Sequence, residues 1–185
     1  MDLFLSVCLG LGLAAACGFR VFVPCLLLGV LQRLGVSTID SMPQWLGSSL
    51  ALTVLGAATA VEVGAYYVPW LDNLLDTVTS PLSVLAGILL FVAANDAQPT
   101  AWRWGLGIVA GGGAAGVAQG ATVTTRLLST AMTGGLGNFV VATAEWVGAV
   151  LIVLSVLVLA PLALFVVAGL SWALLRGRRR SKVPV

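Results

Sequence analysis

Four ionisable residues lie inside otherwise apolar stretches of the chain: Arg20, Glu62, Arg126 and Glu145. A charge at the centre of a bilayer costs at least about 2.5–3.5 kcal/mol, so such residues are expected to face the protein interior and to be paired. Two chemistries suit them. In the first, Arg20 and Arg126 bind an anion, because a guanidinium offers a fork of donors that matches phosphate or carboxylate, while Glu62 and Glu145 act as counter-charges or proton carriers. Half-helices beginning at Gly18 and Gly120 would add backbone N–H groups and positive dipole ends to that site. Arg20 follows Gly18 by two residues and Arg126 follows Gly120 by six. That offset is one helical turn, which puts both arginines on the same face of equivalent half-helices. In the second chemistry, arginine and glutamate are structural ion pairs that hold a small bundle together. Both satisfy the cost of an intramembrane charge.

Other chemistries find little purchase. The chain has no histidine, so neither a Ser/His/Asp nor a Cys/His arrangement can form, and nothing positive supports an enzyme. Cys8, Cys17 and Cys25 sit in apolar segments with no CxxC spacing and read as small hydrophobes, so no metal or other cofactor is expected. Gly111, Gly112, Gly113 and Gly116 lack the Lys-Ser/Thr ending of a phosphate loop and read as close helix packing. Thr122, Thr124, Thr125, Ser129, Thr130 and Thr133 make one segment rich in hydroxyls, suited to a hydrated path or, more commonly, to hydrogen bonds between helices.

The elements that carry these residues follow from composition. Of 185 residues, 59% are hydrophobic and 9% charged, against roughly 45–50% and 25% in a soluble domain. No ten-residue alternation suggests a barrel, so backbone groups in lipid must be satisfied within helices. The expected fold is all-α: a polytopic integral membrane helical bundle of four to six spans, with two broken or re-entrant segments. Residues 3–34 would form the first broken segment, since an unbroken helix of that length would reach about 48 Å, past a hydrocarbon core of about 30 Å. A span at 48–68, an interfacial helix at 69–79 with Asp72 and Asp76 on its polar side, and a span at 81–95 complete a first half, residues 1–100. Residues 101–176 give a second half: a broken segment at 105–132, interrupted at Gln119-Gly120, then spans at 138–159 and 161–176. Small-residue runs at Ala15-Ala16-Cys17-Gly18 and Val117-Ala118-Gln119-Gly120, each followed by a glutamate-bearing span, suggest an internal repeat.

Five of the nine basic residues, Arg176, Arg178, Arg179, Arg180 and Lys182, crowd the tail 177–185 and its junction with the last helix. By the positive-inside rule this tail is cytoplasmic, a topology anchor and not a nucleic-acid patch. If both broken segments fold back, Arg33 and Arg103 join it on that side, and the charge bias favours this arrangement. The opening Met-Asp-Leu-Phe-Leu has no basic n-region, so a cleaved signal is not expected. Tyr66, Tyr67 and Trp70 read as an aromatic belt.

Gly18-Phe19-Arg20, Glu62 and above all Pro69-Trp70-Leu71-Asp72-Asn73-Leu74-Leu75-Asp76 make the chain resemble the bacterial membrane family called domain of unknown function 4126. The similarity extends over most of the chain, with the Gly-rich segment and Arg126 its recognisable pieces in the second half. The resemblance implies a small multi-pass protein of the bacterial cytoplasmic membrane and no particular reaction. The arginine-bearing, re-entrant plan is also similar, by analogy of device alone, to bacterial lipid-phosphate flippases of the DedA type. The leading expectation is a transporter or flippase for an anionic solute or lipid headgroup, possessing a proton-coupling pair in Glu62 and Glu145. The competing expectation is a non-transporting scaffold, homo-oligomeric through small-residue faces; a channel is the third. The expected partners are the lipid bilayer and an anionic small molecule or lipid phosphate.

Overall fold

Lipid leaves the backbone no solvent partner, and the chain responds with helices throughout the segments described by the computed structural model. Those are residues 3–36, 39, 42–65 and 69–158, with 169 and 172; for 69–74 and 76 only the backbone is described. The expected last span, the basic tail, Tyr66 and Tyr67 lie outside the described residues.

In chain order the helices are α1 (Leu3–Phe19), α2 (Phe22–Arg33), α3 (Ser49–Gly64), α4 (Pro69–Ala94), α5 (Thr100–Leu106), α6 (Gly112–Thr133) and α7 (Asn138–Val158), with a short 3-10 turn at Gln44–Gly47. α4, the run from Thr100 to Thr133, and α7 are long and apolar enough to cross a membrane. α1, α2 and α3 are shorter apolar helices.

α1 is the centre of the bundle. Its residues from Gly12 to Gly18 are all buried, and a helix apolar all round belongs in an interior. Because Gly10, Gly12, Ala14, Ala15, Ala16, Cys17 and Gly18 are small, neighbouring backbones come close, which is how helices associate where no hydrophobic drive exists between them. One close approach is at Gly18, where an added Cβ would stand 2.3 Å from the Ala115 carbonyl oxygen of α6. At the other end of α1, the buried Asn95 donates to the Ser6 carbonyl at 3.2 Å and to the Phe91 carbonyl at 2.9 Å. These contacts run α1 antiparallel to α4 and parallel to α6.

The expected break in residues 3–34 is present. Arg20 still donates its amide to the Ala16 carbonyl at 3.1 Å, but α1 ends at Phe19 and α2 begins at Phe22. Pro24 explains the position: it has no N–H for the Arg20 carbonyl, and its ring clashes with that carbonyl, whereas within the first turn of a new helix it is well tolerated.

Two expectations are corrected. α6 runs unbroken through Gln119-Gly120-Ala121-Thr122, so 105–132 is neither broken nor re-entrant, and it has no break there to set beside the one in residues 3–34. No proline stands there, and glycine alone costs a helix only about 1 kcal/mol. The irregularity falls earlier, in a π-helical turn at Gly107–Gly111 that joins α5 to α6 without a stop. Residues 69–79 do not form a separate surface helix: α4 continues through Pro81, with the Ser83 hydroxyl donating to the Ser80 carbonyl at 2.8 Å beside the proline. Neighbouring hydroxyls commonly make proline tolerable in membrane helices. Being 26 residues long, α4 extends about 39 Å, and its membrane-length apolar window starts only at Thr77.

Candidate functional site

The hairpin between α6 and α7 sets the depth of two charges. α6 is closed by Gly134, whose φ of 63° is a left-handed cap natural to glycine. Across the turn, Thr133 Oγ1 accepts from the Gly137 amide at 2.8 Å, and Asn138 Nδ2 donates to Thr130 Oγ1 at 2.8 Å. Arg126 stands seven residues before Thr133 and Glu145 seven after Asn138. Both are therefore carried about 10 Å into the bundle from the same turn. The α1/α2 break delivers Arg20 to the same place, and the last turn of α3 delivers Glu62.

All four sequence-predicted charges meet in one cluster. Arg20 Nη2 donates to Glu145 Oε2 at 2.6 Å, and Arg126 Nη2 reaches that same oxygen at 2.5 Å. Arg126 Nε adds a 3.3 Å bond to Glu145 Oε1, so this pair is bidentate. Arg20 Nη1 lies 3.8 Å from Glu62 Oε1. Exposure is 4% for Arg20, Glu62 and Arg126 and 6% for Glu145. The cluster is neutral and sealed. Instead of two separate pairs, Glu145 bridges both arginines, and Glu62 is the outer member.

Gly18 and Gly120 do not play the part expected of them. No helix begins at either: Gly18 is in the last turn of α1, wedged against Ala115, and Gly120 is an exposed position inside α6 with open space around its Cα. The helix N-terminus near the cluster belongs to α2, which starts at Phe22 beside Arg20. Its positive dipole end favours the carboxylates gathered there.

A buried polar stripe approaches the cluster along α6. Gln119, Thr122 and Arg126 share one helical face at i, i+3 and i+7, each buried. Gln119 Nε2 donates to Ser80 Oγ of α4 at 3.0 Å, and α4 adds the buried Thr79 and Ser83. Thr122, one turn from Arg126, has its hydroxyl buried without a hydrogen-bond partner. The hydroxyl-rich composition pointed to this segment; the i, i+3, i+7 spacing of Gln119, Thr122 and Arg126 was the sharper signal. Thr124, Thr125 and Thr133 instead bond back to carbonyls four residues earlier on their own helix.

No curated protein and no solved structure matches the chain. A family model does, over residues 7–180, a range that includes all four clustered charges and the helices that bring them together. The chain is thus a member of the family described as domain of unknown function 4126.

Proposed function

We propose that the protein is a small transporter for an anionic solute or lipid headgroup, in which Glu145 occupies the anion position of the sealed state. The observation that carries this reading is the convergence of two guanidiniums, from separate helices, on one carboxylate oxygen at 2.6 and 2.5 Å. A carboxylate held this way is a stand-in for a phosphate or carboxylate ligand. Protonating Glu145 removes the charge that holds both forks and leaves them to an incoming anion. One proton and one monovalent anion then enter together, and the cluster stays neutral, which the cost of net charge in a membrane demands. Glu62 remains beside Arg20 as the second counter-charge.

Stability alone gives little reason for such a cluster, because buried ion pairs are often replaceable by apolar groups at no loss. Arg20→Lys keeps the charge but loses the fork. The expected outcome is a folded protein that takes up no proton when the anion recognised by the wild type is added in weak buffer. Proton uptake equal to that of the wild type would leave the two-fork site unsupported.

A non-transporting scaffold is the second reading, favoured by the sealing of all four charges. In that case pairwise neutralisation should leave both stability and any host phenotype unchanged.

The fold-back of residues 3–33 belongs to the same proposal. Ser6 is bonded to Asn95, while Cys25 and Leu46 share a groove with Asp96, which supports both ends of this segment lying on the side of the 95–99 turn. The positive-inside rule makes that side, with Arg33, Arg103 and the basic tail, the cytoplasmic face of a bacterial inner membrane. With the three native cysteines replaced, single cysteines at Arg33, Arg103 and Ser181 are expected to label from one side, and those at Asp76 and Leu136 from the other. Labelling of Arg33 and Arg103 from opposite sides would overturn the fold-back.

A further inference from the structure

A groove of about 470 Å³ opens on the bundle surface between α4, the start of α5 and the 42–46 segment, and it shares no residue with the charge cluster. Its size falls within the roughly 300–1,000 Å³ typical of small-molecule sites. Ala86, Leu89, Leu90 and Ala93 form one wall, Met42 and Leu46 another, and among the described residues Asp96 and Arg103 are its only charged lining. Trp45 and Trp104, both exposed, stand with these charges at the end of α4, where indoles mark a membrane interface. From Ala93 back to Ala86 the wall runs about 10 Å along α4, against roughly 15 Å for one leaflet of a 30 Å core. The groove therefore reaches from headgroup level towards the midplane, the path of one acyl chain.

The two charges at its mouth are not paired with each other. Arg103 reaches the Asp96 backbone carbonyl through Nη1 at 3.4 Å, while its buried Nε has no hydrogen-bond partner. The Asp96 side chain is exposed. A half-exposed guanidinium beside an open carboxylate complements a headgroup that carries both a phosphate and an ammonium.

We infer that this groove binds one zwitterionic phospholipid of the phosphatidylethanolamine type, its acyl chain along α4, its phosphate on Arg103 and its ammonium on Asp96. The site is independent of the proposed transport cluster and stands or falls separately from it. The test is native mass spectrometry of the full chain in detergent, titrated with phosphatidylethanolamine and, separately, with phosphatidylglycerol. The wild type is expected to retain one phosphatidylethanolamine in preference to phosphatidylglycerol. Arg103→Gln should lower retention of both about tenfold, the scale of one lost charge-assisted hydrogen bond. Asp96→Asn, a change at an exposed position that does not threaten folding, should abolish the preference alone. Ala93→Trp, which fills the groove, should abolish retention while the protein melts cooperatively. The inference is overturned if the wild type retains phosphatidylglycerol as well as phosphatidylethanolamine, or if Asp96→Asn leaves the preference intact.

Discussion

Glu145→Gln is expected to destabilise the protein more than any other neutralisation of a single charge in the bundle. Glu145 holds Arg20 at 2.6 Å and Arg126 at 2.5 and 3.3 Å, so its loss strands two buried guanidiniums together. Removing one partner of a buried pair costs about 3–5 kcal/mol, and here one carboxylate serves two cations. Glu62→Gln should cost less, because Glu62 stands 3.8 Å from Arg20, which keeps its closer bond to Glu145. Combining Arg20→Met with Glu62→Gln should recover most of the wild-type stability, since it leaves the bidentate Arg126–Glu145 pair intact and the cluster neutral. Thermal unfolding in detergent across these variants checks the order. If Glu62→Gln proved as damaging as Glu145→Gln, the bridging role of Glu145 would be wrong.

The second large effect concerns two glycines that occupy matching places in the sequence and opposite ones in the fold. At Gly18 a methyl group would stand 2.3 Å from the Ala115 carbonyl oxygen and 2.6 Å from Ala118 Cβ, so α1 must move off α6. Overpacking typically costs about 1–3 kcal/mol, occasionally more. Gly18→Ala is expected at or above the top of that range, because the obstacle is backbone, and Gly18→Val should abolish the folded protein. Gly120→Ala should instead raise stability by up to about 1 kcal/mol, since nothing lies within reach of the new methyl and alanine is the better helix former. Expression yield and melting temperature of the variants decide the matter. Equal effects at the two positions would restore the equivalence that the fold denies.

The contrast shows what could be read from the sequence and what could not. Membrane helices follow from composition alone, and the cost of intramembrane charge singled out Arg20, Glu62, Arg126 and Glu145, all four of which meet. The break near Arg20 was legible because Pro24 enforces it. The break at Gln119-Gly120 was not there to be read: a glycine without a proline is a weak interruption, and its neighbours Thr124 and Thr125 satisfy their hydroxyls within the helix. Pro81 misled in the opposite sense, for a proline flanked by serines can be carried inside a membrane helix. Partner choice was beyond reach. That Glu145 holds Arg20 more closely than Glu62 does depends on the α6–α7 hairpin register, which Gly134 and the Thr133 hydroxyl set through tertiary geometry.

In the proposed function, two arginines held by one glutamate are an anion site closed by an internal anion. Its most direct test is the melting temperature of the wild-type chain in detergent, with inorganic phosphate, phosphoethanolamine and small carboxylates added in turn at about pH 5 and about pH 8, on the acidic side of which carboxylates begin to protonate. A ligand bound only to the folded state stabilises by mass action, by about 2.7 kcal/mol at a hundred times its Kd. At least one of these anions is expected to raise the melting temperature, more at the acidic pH because proton and anion bind together, and Arg20→Lys is expected to lose the effect while remaining folded. No shift with any of them at either pH would overturn the anion site and leave the cluster as a structural tie.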